Sequence, residues 1–351
     1  MNGFRIPKSI AISWYFAHHA GHNGYKQILV HTKPQAVVGI DERQPPAVDR
    51  WHRAYPWLYE FRALFIHRRN ACEVLHILYG ETYFRFSPWL FGSVPVVVTF
   101  HQPPQLLLRR LTAGDETGRV SRVVHAVTRR RFRKISAAII ISEAQREVLE
   151  QFVPADRIHL IPLGASTLPL IEAESRLRCE PDPLAILTVG NWLRDWGFYF
   201  DFVDYCRNQH PDWRFRLVNR KLPSVWHQRV QEASNLVWLR DLDDEPLLQE
   251  YAAANCLFLP FLEATGNNTV NEALAMGCPV ISNVDLGVPD EEAIVTRCEA
   301  SQEAFSSAIA RWQDASAQQR GDLRERSHRA VRSLDWSIVG AKTLDLYQSL
   351  L

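Results

Sequence analysis

The residues whose types and spacing promise chemistry lie between Cys256 and Ser282, in CLFLPFLEATGNNTVNEALAMGCPVIS. The run reads as a buried strand, a polar loop, a short helix and a second buried strand. It places Glu263 and Glu272 around a helix start at Asn267, Asn268 and Thr269. Free backbone N–H groups and the positive end of the helix dipole make such a start an anion site, where a diphosphate can rest without a metal. Glu272 follows the helix start by about one turn and is expected to face the same ligand. Glu263 falls at the carboxyl end of the strand, where open parallel sheets bind ligands. Each glutamate also has an ordinary reading, Glu272 as a partner of the dipole and Glu263 as a solvated loop residue.

A second segment, ILTVGNWLRDWGF at Ile186–Phe198, belongs with the first. Together they resemble the donor-site signature of retaining GT-B glycosyltransferases, family 4 above all. There an acidic residue, a small polar loop, a second glutamate and a small-residue turn into Pro-Val recur in this order. In that family a strand ending in Val-Gly is followed by an arginine and then a lysine-glycine pair, and both cations grip the donor diphosphate. This chain departs from the pattern, with Asn191 at the arginine position and Trp196 at the lysine position before Gly197. Each lost cation would have offset phosphate charge. Arg194 lies between the two and is expected to supply a replacement guanidinium, with Asn191 donating a neutral hydrogen bond; the plainer reading pairs Arg194 with Asp195 or solvent. The spacing from Glu263 to Glu272 is one residue longer than the family usually has, which bears on Glu263 more than on Glu272.

The resemblance implies an α/β protein of two Rossmann-like domains facing across a cleft, with a C-terminal helix crossing back to the first. It implies a hexosyltransferase-like enzyme moving a sugar from a nucleotide-sugar donor to a carbohydrate, lipid-linked or small-molecule acceptor, with retention and without metal. The nucleotide-sugar is a substrate, and no cofactor is called for. Glu272 would hold ribose hydroxyls and Glu263 the donor sugar. Asn191, Arg194 and the Asn267–Thr269 helix start would hold the diphosphate. The resemblance names no protein nucleophile. Two other readings stay open: a sugar-nucleotide epimerase on the same fold, and a catalytically silent binding or partner subunit.

In SWYFAHHAGHNGYKQI a strand runs into a glycine loop, Gly21 to Gly24, and a helix is expected from Tyr25. By resemblance Gly21, His22, Gly24 and Tyr25 form the acceptor side. His18, His19 and His22 have no supporting Cys or carboxylate cluster at metal spacing, so no zinc site is expected. His101 closes the strand VPVVVTFH, and the corresponding family histidine faces the donor sugar; its ordinary reading is a cap for backbone. The segment ISAAIIISEAQREVLEQFVPADRIHLIPLGAS resembles the close of the family's first domain, with an architectural turn at Ile161–Gly164. Asp241 and Asp243 spell D-x-D, a metal motif in a different transferase fold, but Asp243 and Asp244 precede Pro246 and read as helix-start acids.

Alternating short apolar runs and amphipathic stretches predict parallel sheets covered on both faces. Strands are expected at Ser9–Phe16, Ala36–Ile40, Val74–Leu78, Val94–Thr99, Ala138–Ile141 and His159–Pro162. A second set is expected at Ala185–Val189, Arg214–Val218, Leu236–Leu239, Cys256–Pro260, Val280–Ser282 and Ala293–Thr296. The break falls in Ala165–Pro183, where Pro169, Pro181 and Pro183 cluster. The expected division is 1–165, 184–336 and a returning helix over 337–351, with apolar positions at Ile338, Val339, Leu344, Leu346, Tyr347 and Leu350.

With 351 residues the chain suits two domains, and a net charge of +1 argues against a general nucleic-acid bias. Six cysteines without a C-x-x-C pair suggest reduced thiols and a cytoplasmic protein. The N-terminal SIAISWYFA reads as a strand, not a signal peptide. No apolar run approaches the roughly 20 residues that cross a bilayer. Arg119–Lys134, RVSRVVHAVTRRRFRK, has no acid, and a valine stripe beside its arginines is expected either to touch the inner membrane face peripherally or to pack on the core.

Overall fold

The computed structural model describes residues 5–16, 24–44, 50–112, 127, 129–177, 185–289 and 291–351. They form two compact units, Met1–Ala165 with Leu334–Leu351, and Ser166–Ser333.

The first unit holds β1 (Ser9–Tyr15), β2 (Ala36–Asp41), β3 (Val74–Ile77), β4 (Val96–Phe100), β5 (Ala137–Ile140) and β6 (Ile158–Leu160) in the order β2-β1-β3-β4-β5-β6. Their pairings are parallel. Every residue of VVVTF and of AAII is buried, as continuous apolar strands covered on both faces must be. From β1 the chain steps outward to β2 and then returns to the other side of β1 as β3. That reversal opens a crevice at the carboxyl ends of β1 and β3.

The second unit repeats the scheme with β7 (Ala185–Val189), β8 (Arg214–Val218), β9 (Leu236–Leu239), β10 (Cys256–Leu259), β11 (Val280–Ser282) and β12 (Val295–Arg297), again all parallel. Its order is β12-β11-β10-β7-β8-β9, so the reversal lies between β7 and β10. An aromatic core of Tyr199, Phe202, Phe215, Phe258 and Phe305 fixes the helices on this sheet.

All twelve expected strands are present, several with ends shifted by one or two residues, and three local readings differ. Ala293 belongs to a helical turn, Glu291–Ile294, and the strand begins at Val295. Glu291 starts that turn and accepts from the backbone N–H of Leu286. The Ala165–Pro183 stretch contains a helix, Thr167–Arg176. Pro169 sits in its first turn, where a missing N–H costs no helical hydrogen bond. The segment from Tyr25 opens as a 3-10 turn, Tyr25–Gln27, and becomes α-helical only over Ile28–Thr32.

The C-terminal helix, Trp336–Ser349, packs on the first unit. Val339, Leu344, Leu346 and Tyr347 are buried, whereas Ile338 faces outward. Gly340 permits the close approach, since a Cβ there would lie 2.3 Å from Cβ of His31. Asp335 caps the helix, accepting from the Ser337 N–H at 3.0 Å. Asp335→Ala is expected to lower stability in urea unfolding by about 1 kcal/mol, with helix content by circular dichroism unchanged.

Candidate functional site

In the second unit the loops at the carboxyl ends of β7 and β10 are joined by backbone. Gly190 (φ 88°) and Leu193 (φ 53°) turn the chain sharply after β7. Leu262 then donates to the Leu193 carbonyl at 3.0 Å, and Asp195 donates to the Pro260 carbonyl at 2.9 Å. The Asn283 side chain holds Phe261 from the other side, with contacts of 2.8 and 2.9 Å to its N–H and carbonyl.

This pairing folds the Arg194 side chain inward until it is only 4% exposed. Its Nη2 donates to the Val189 carbonyl at 2.6 Å and its Nη1 to the Trp192 carbonyl at 3.3 Å. The guanidinium lies 4.1 Å over the Phe261 ring, and Nε is buried without a partner. Arg194 does not pair with Asp195, which instead caps the Trp196–Gln209 helix by accepting from Phe198 N–H at 3.0 Å. Burial pulls the guanidinium pKa down to about 9, against an opposing influence of Tyr251, so the group is still a cation at neutral pH. A buried cation with no carboxylate beside it is costly, and an arriving anion would relieve that cost. A Cβ on Gly190 would meet Nη2 of Arg194 at 3.2 Å and Oγ1 of Thr269 at 3.6 Å. The end of β7, the guanidinium and the start of the next helix therefore converge.

That helix is Asn268–Ala275. Asn267 is its cap and accepts from Thr269 N–H at 2.9 Å, so the helix start is partly satisfied from within the chain. Glu272 is 6% exposed. Its Oε2 accepts from the Tyr251 hydroxyl at 3.0 Å. Burial first, and then the Glu272 charge, push the Tyr251 hydroxyl well above the ordinary tyrosine range, while Thr269 hydrogen-bonds the same group and acts the other way. Tyr251 thus links Glu272, Thr269 and the surroundings of Arg194. Residue types along its helix give no signal for this, because Tyr251 also suits an ordinary apolar helix position. Glu263 is half-buried in the loop after β10.

Asn191 is exposed, and its Oδ1 accepts from the Asn219 side chain at 3.5 Å. Asn219 in turn accepts from Lys221 N–H at 2.8 Å, which brings an exposed lysine to this end of the sheet. Trp196 is 8% exposed and packs on Tyr199 and Phe200 at ring distances of 5.5 and 6.4 Å. Asp243 stands at the N-cap position of the Asp244–Ala253 helix without a side-chain capping hydrogen bond, and Asp241 is exposed near Arg220. Among the described residues no group of three His, Cys, Asp or Glu side chains could hold a metal.

In the first unit His101 follows β4. Its Nε2 and the Leu78 carbonyl lie 2.7 Å apart, so Nε2 carries the proton and Nδ1 is left as an acceptor. The backbone N–H groups of His101 and Gln102 both donate to buried Glu81, the latter at 2.7 Å. The imidazole stacks on Tyr79 and meets the edge of Tyr25, at 4.6 and 4.5 Å. The residue keeps some exposed surface, and burial lowers its pKa to about 4. Tyr25 is itself buried, shares a hydrogen bond of 3.2 Å with Thr99 and meets the His101 ring edge-on. Thr99 continues to His76 at 2.8 Å and His76 to Tyr347 at 2.6 Å. Gly24, at φ 91°, starts the Tyr25 turn; Gly21 and His22 lie outside the described residues. Most of Arg119–Lys134 lies outside them too, and of the remainder Phe132 is buried in the core. No described helix is long and apolar enough to cross a membrane.

Residues 14–167 match the family described as Glycosyltransferase Family 4, and residues 185–314 match Glycosyl transferases group 1. Among solved structures, a sucrose-phosphate synthase from Thermosynechococcus elongatus superposes with a TM-score of 0.69 at 18% identity, covering 98% of this chain and 99% of that one. A UDP-forming α,α-trehalose-phosphate synthase from Burkholderia xenovorans does so at 0.72 and 10% identity, covering 98% and 99%. Anabaena HepE, solved in complex with UDP, gives 0.66 at 12% identity, covering 97% and 100%. At these identities the likeness carries the fold. No curated protein sequence matches the chain.

Proposed function

The chain belongs to the GT-B glycosyltransferases, and from that premise we propose that it transfers a sugar from a nucleotide-sugar whose diphosphate rests at the carboxyl ends of β7 and β10. The observation that carries this reading is Arg194, a buried cation with no carboxylate partner and an unpartnered Nε, set against Gly190 and Thr269. Leaving-group charge would develop beside it, so its role is electrostatic stabilisation by a group already in place. The Asn268–Ala275 helix start adds its dipole. Glu272, oriented by Tyr251, is the acceptor for ribose hydroxyls, and Glu263 and Asn191 are the residues for the sugar side and the near phosphate. Lys221 offers a cation in the region where Asn191 and Trp196 withhold two. In the first unit, taken by itself, the Nδ1 acceptor of His101 is assigned to a sugar hydroxyl and Gly24 to the acceptor. Retention and metal independence complete the proposal.

A second reading, a silent binding subunit, draws on Asn191 and Trp196 standing at the two positions where the family has cations. Thermal unfolding with EDTA present separates the two. A nucleotide that binds only the folded protein stabilises it by about 2.7 kcal/mol at 100 times its Kd. UDP and UDP-sugars are tried first, since two of the structural neighbours are named with UDP. A melting shift with UDP-, GDP- or ADP-sugars, absent in Arg194→Ala, is the expected result. Folded protein that responds to none of them would favour the silent subunit.

A further inference from the structure

The turn after β4, which carries His101, is held from two sides. On one side stands a four-residue segment that follows β3. Its Leu78 carbonyl accepts from the imidazole Nε2–H at 2.7 Å, and Tyr79 stacks on the ring at 4.6 Å. Three residues after Leu78, the buried Glu81 side chain uses one oxygen, Oε1, to accept from the backbone N–H groups of both His101 and Gln102, the latter at 2.7 Å. The short helix Gly80–Tyr83 lies this close to β4 because residue 80 has no side chain; a Cβ there would collide with the side chains of Val98 and Phe100. On the other side stands Gln145, fully buried after β5. Its Oε1 accepts from the N–H groups of Ile141 and Ser142 at 2.8 and 3.1 Å, and its Nε2 donates to the carbonyls of Phe100 and Gln102 at 3.1 and 2.9 Å. An amide has two donors and two acceptor sites, so Gln145 has nothing left with which to replace Glu81.

Backbone N–H groups in such a place need an acceptor, and a turn that loses one moves until it finds another. Movement here carries the imidazole away from Leu78, because ring and backbone are anchored on the same short segment. That matters for chemistry. In a neutral imidazole one nitrogen donates and the other accepts, and the hydrogen bond made by the first fixes the role of the second. Burial keeps the His101 ring neutral at pH 7.5, its pKa lowered to about 4. We propose that Glu81 is a positioning residue, which holds the turn after β4 so that His101 keeps its proton on Nε2 and offers Nδ1 as an acceptor to a sugar hydroxyl. The inference rests on the reading of His101 as a sugar contact, and it concerns the first unit alone.

The test is nitrogen-15 NMR of the imidazoles in the full chain at pH 7.5, with the His101 signals assigned by their loss in His101→Gln. Wild type is expected to show a single tautomer with the proton on Nε2. Glu81→Ala should shift both ring nitrogens toward the averaged values of mixed tautomers. Glu81→Gln should restore the wild-type pattern, since its amide oxygen accepts from both N–H groups. Glu81→Asp should not, because one methylene less draws the carboxylate away from them, and this variant decides the matter should the alanine variant misfold. Mixed tautomers in wild type overturn the proposal. So does a wild-type pattern in the alanine or aspartate variant, which would leave Glu81 a brace of the backbone without effect on the ring. A glutamine variant that stays mixed overturns it too. The sugar-transfer reading is judged separately, by the melting of wild type with nucleotide-sugars, so either can fail while the other stands.

Discussion

Arg194→Ala is expected to lower kcat/KM for the nucleotide-sugar donor by about 10²–10³-fold, the range seen when one prepositioned donor to developing charge is removed. The reason is geometric. The guanidinium is held by the Val189 and Trp192 carbonyls and by the Phe261 ring, so it has no reorganisation to undergo when charge appears on the leaving diphosphate. Alanine removes the cation and also frees two carbonyls, so the melting temperature must be measured beside the kinetics. Arg194→Lys keeps a charge but not the fork that serves both carbonyls, and should fall between wild type and alanine. A folded alanine variant with unchanged donor turnover would reduce Arg194 to a clamp on the β7 loop.

Stability of the first unit should fall steeply on acidification below about pH 6.5, because two histidines must be protonated on unfolding. Burial lowers the pKa of His76 to about 3, with the His101 charge a smaller cause, and burial lowers that of His101 to about 4. In the unfolded chain both return to the ordinary value near 6.5. Between those limits the unfolded state binds more protons, so stability is complete above the unfolded pKa and is lost as pH falls. Each ring contributes about 1.4 kcal/mol per pH unit in that window. Glu60 and Glu81 act in the opposite sense, since burial raises both carboxyls and favours the folded state where they are protonated. The net slope is therefore shallower near the carboxyl range than near pH 6. Urea unfolding at stepped pH values should show it, and His76→Gln should remove roughly one histidine's share. A slope unchanged in His76→Gln would show that His76 does not titrate on unfolding.

Much of the fold was legible because apolar runs such as VVVTF and CLFL have no use except as strands buried on both faces. Where local signals compete, sequence reading slipped. Ala293 looked like strand, but the acids before it made a helical turn. Pro169 looked like a breaker, but at a helix start it breaks nothing.

The candidate site divides along the same line. The polar helix start, its Asn267 cap and the position of Glu272 could be read from residue types, because capping and dipole effects act within a few residues. Which of Asn191, Arg194 and Trp196 faces a ligand could not. Those residues lie in a loop with two positive φ angles, where helical and strand periodicity give no direction. Their orientation is set by backbone pairing with Pro260–Leu262, more than sixty residues along the chain, which turns Arg194 inward and leaves Asn191 outside. Trp196 goes to the core because Asp195 starts a helix there. Tyr251 likewise gains its place beside Glu272 only through packing between separate helices. The strands, the order of the acidic and polar residues and the family resemblance follow from patterns among neighbours in the chain. Tertiary structure alone decided that a buried, unpaired arginine stands at the reversal of the second sheet, because burial and charge pairing are properties of neighbours in space.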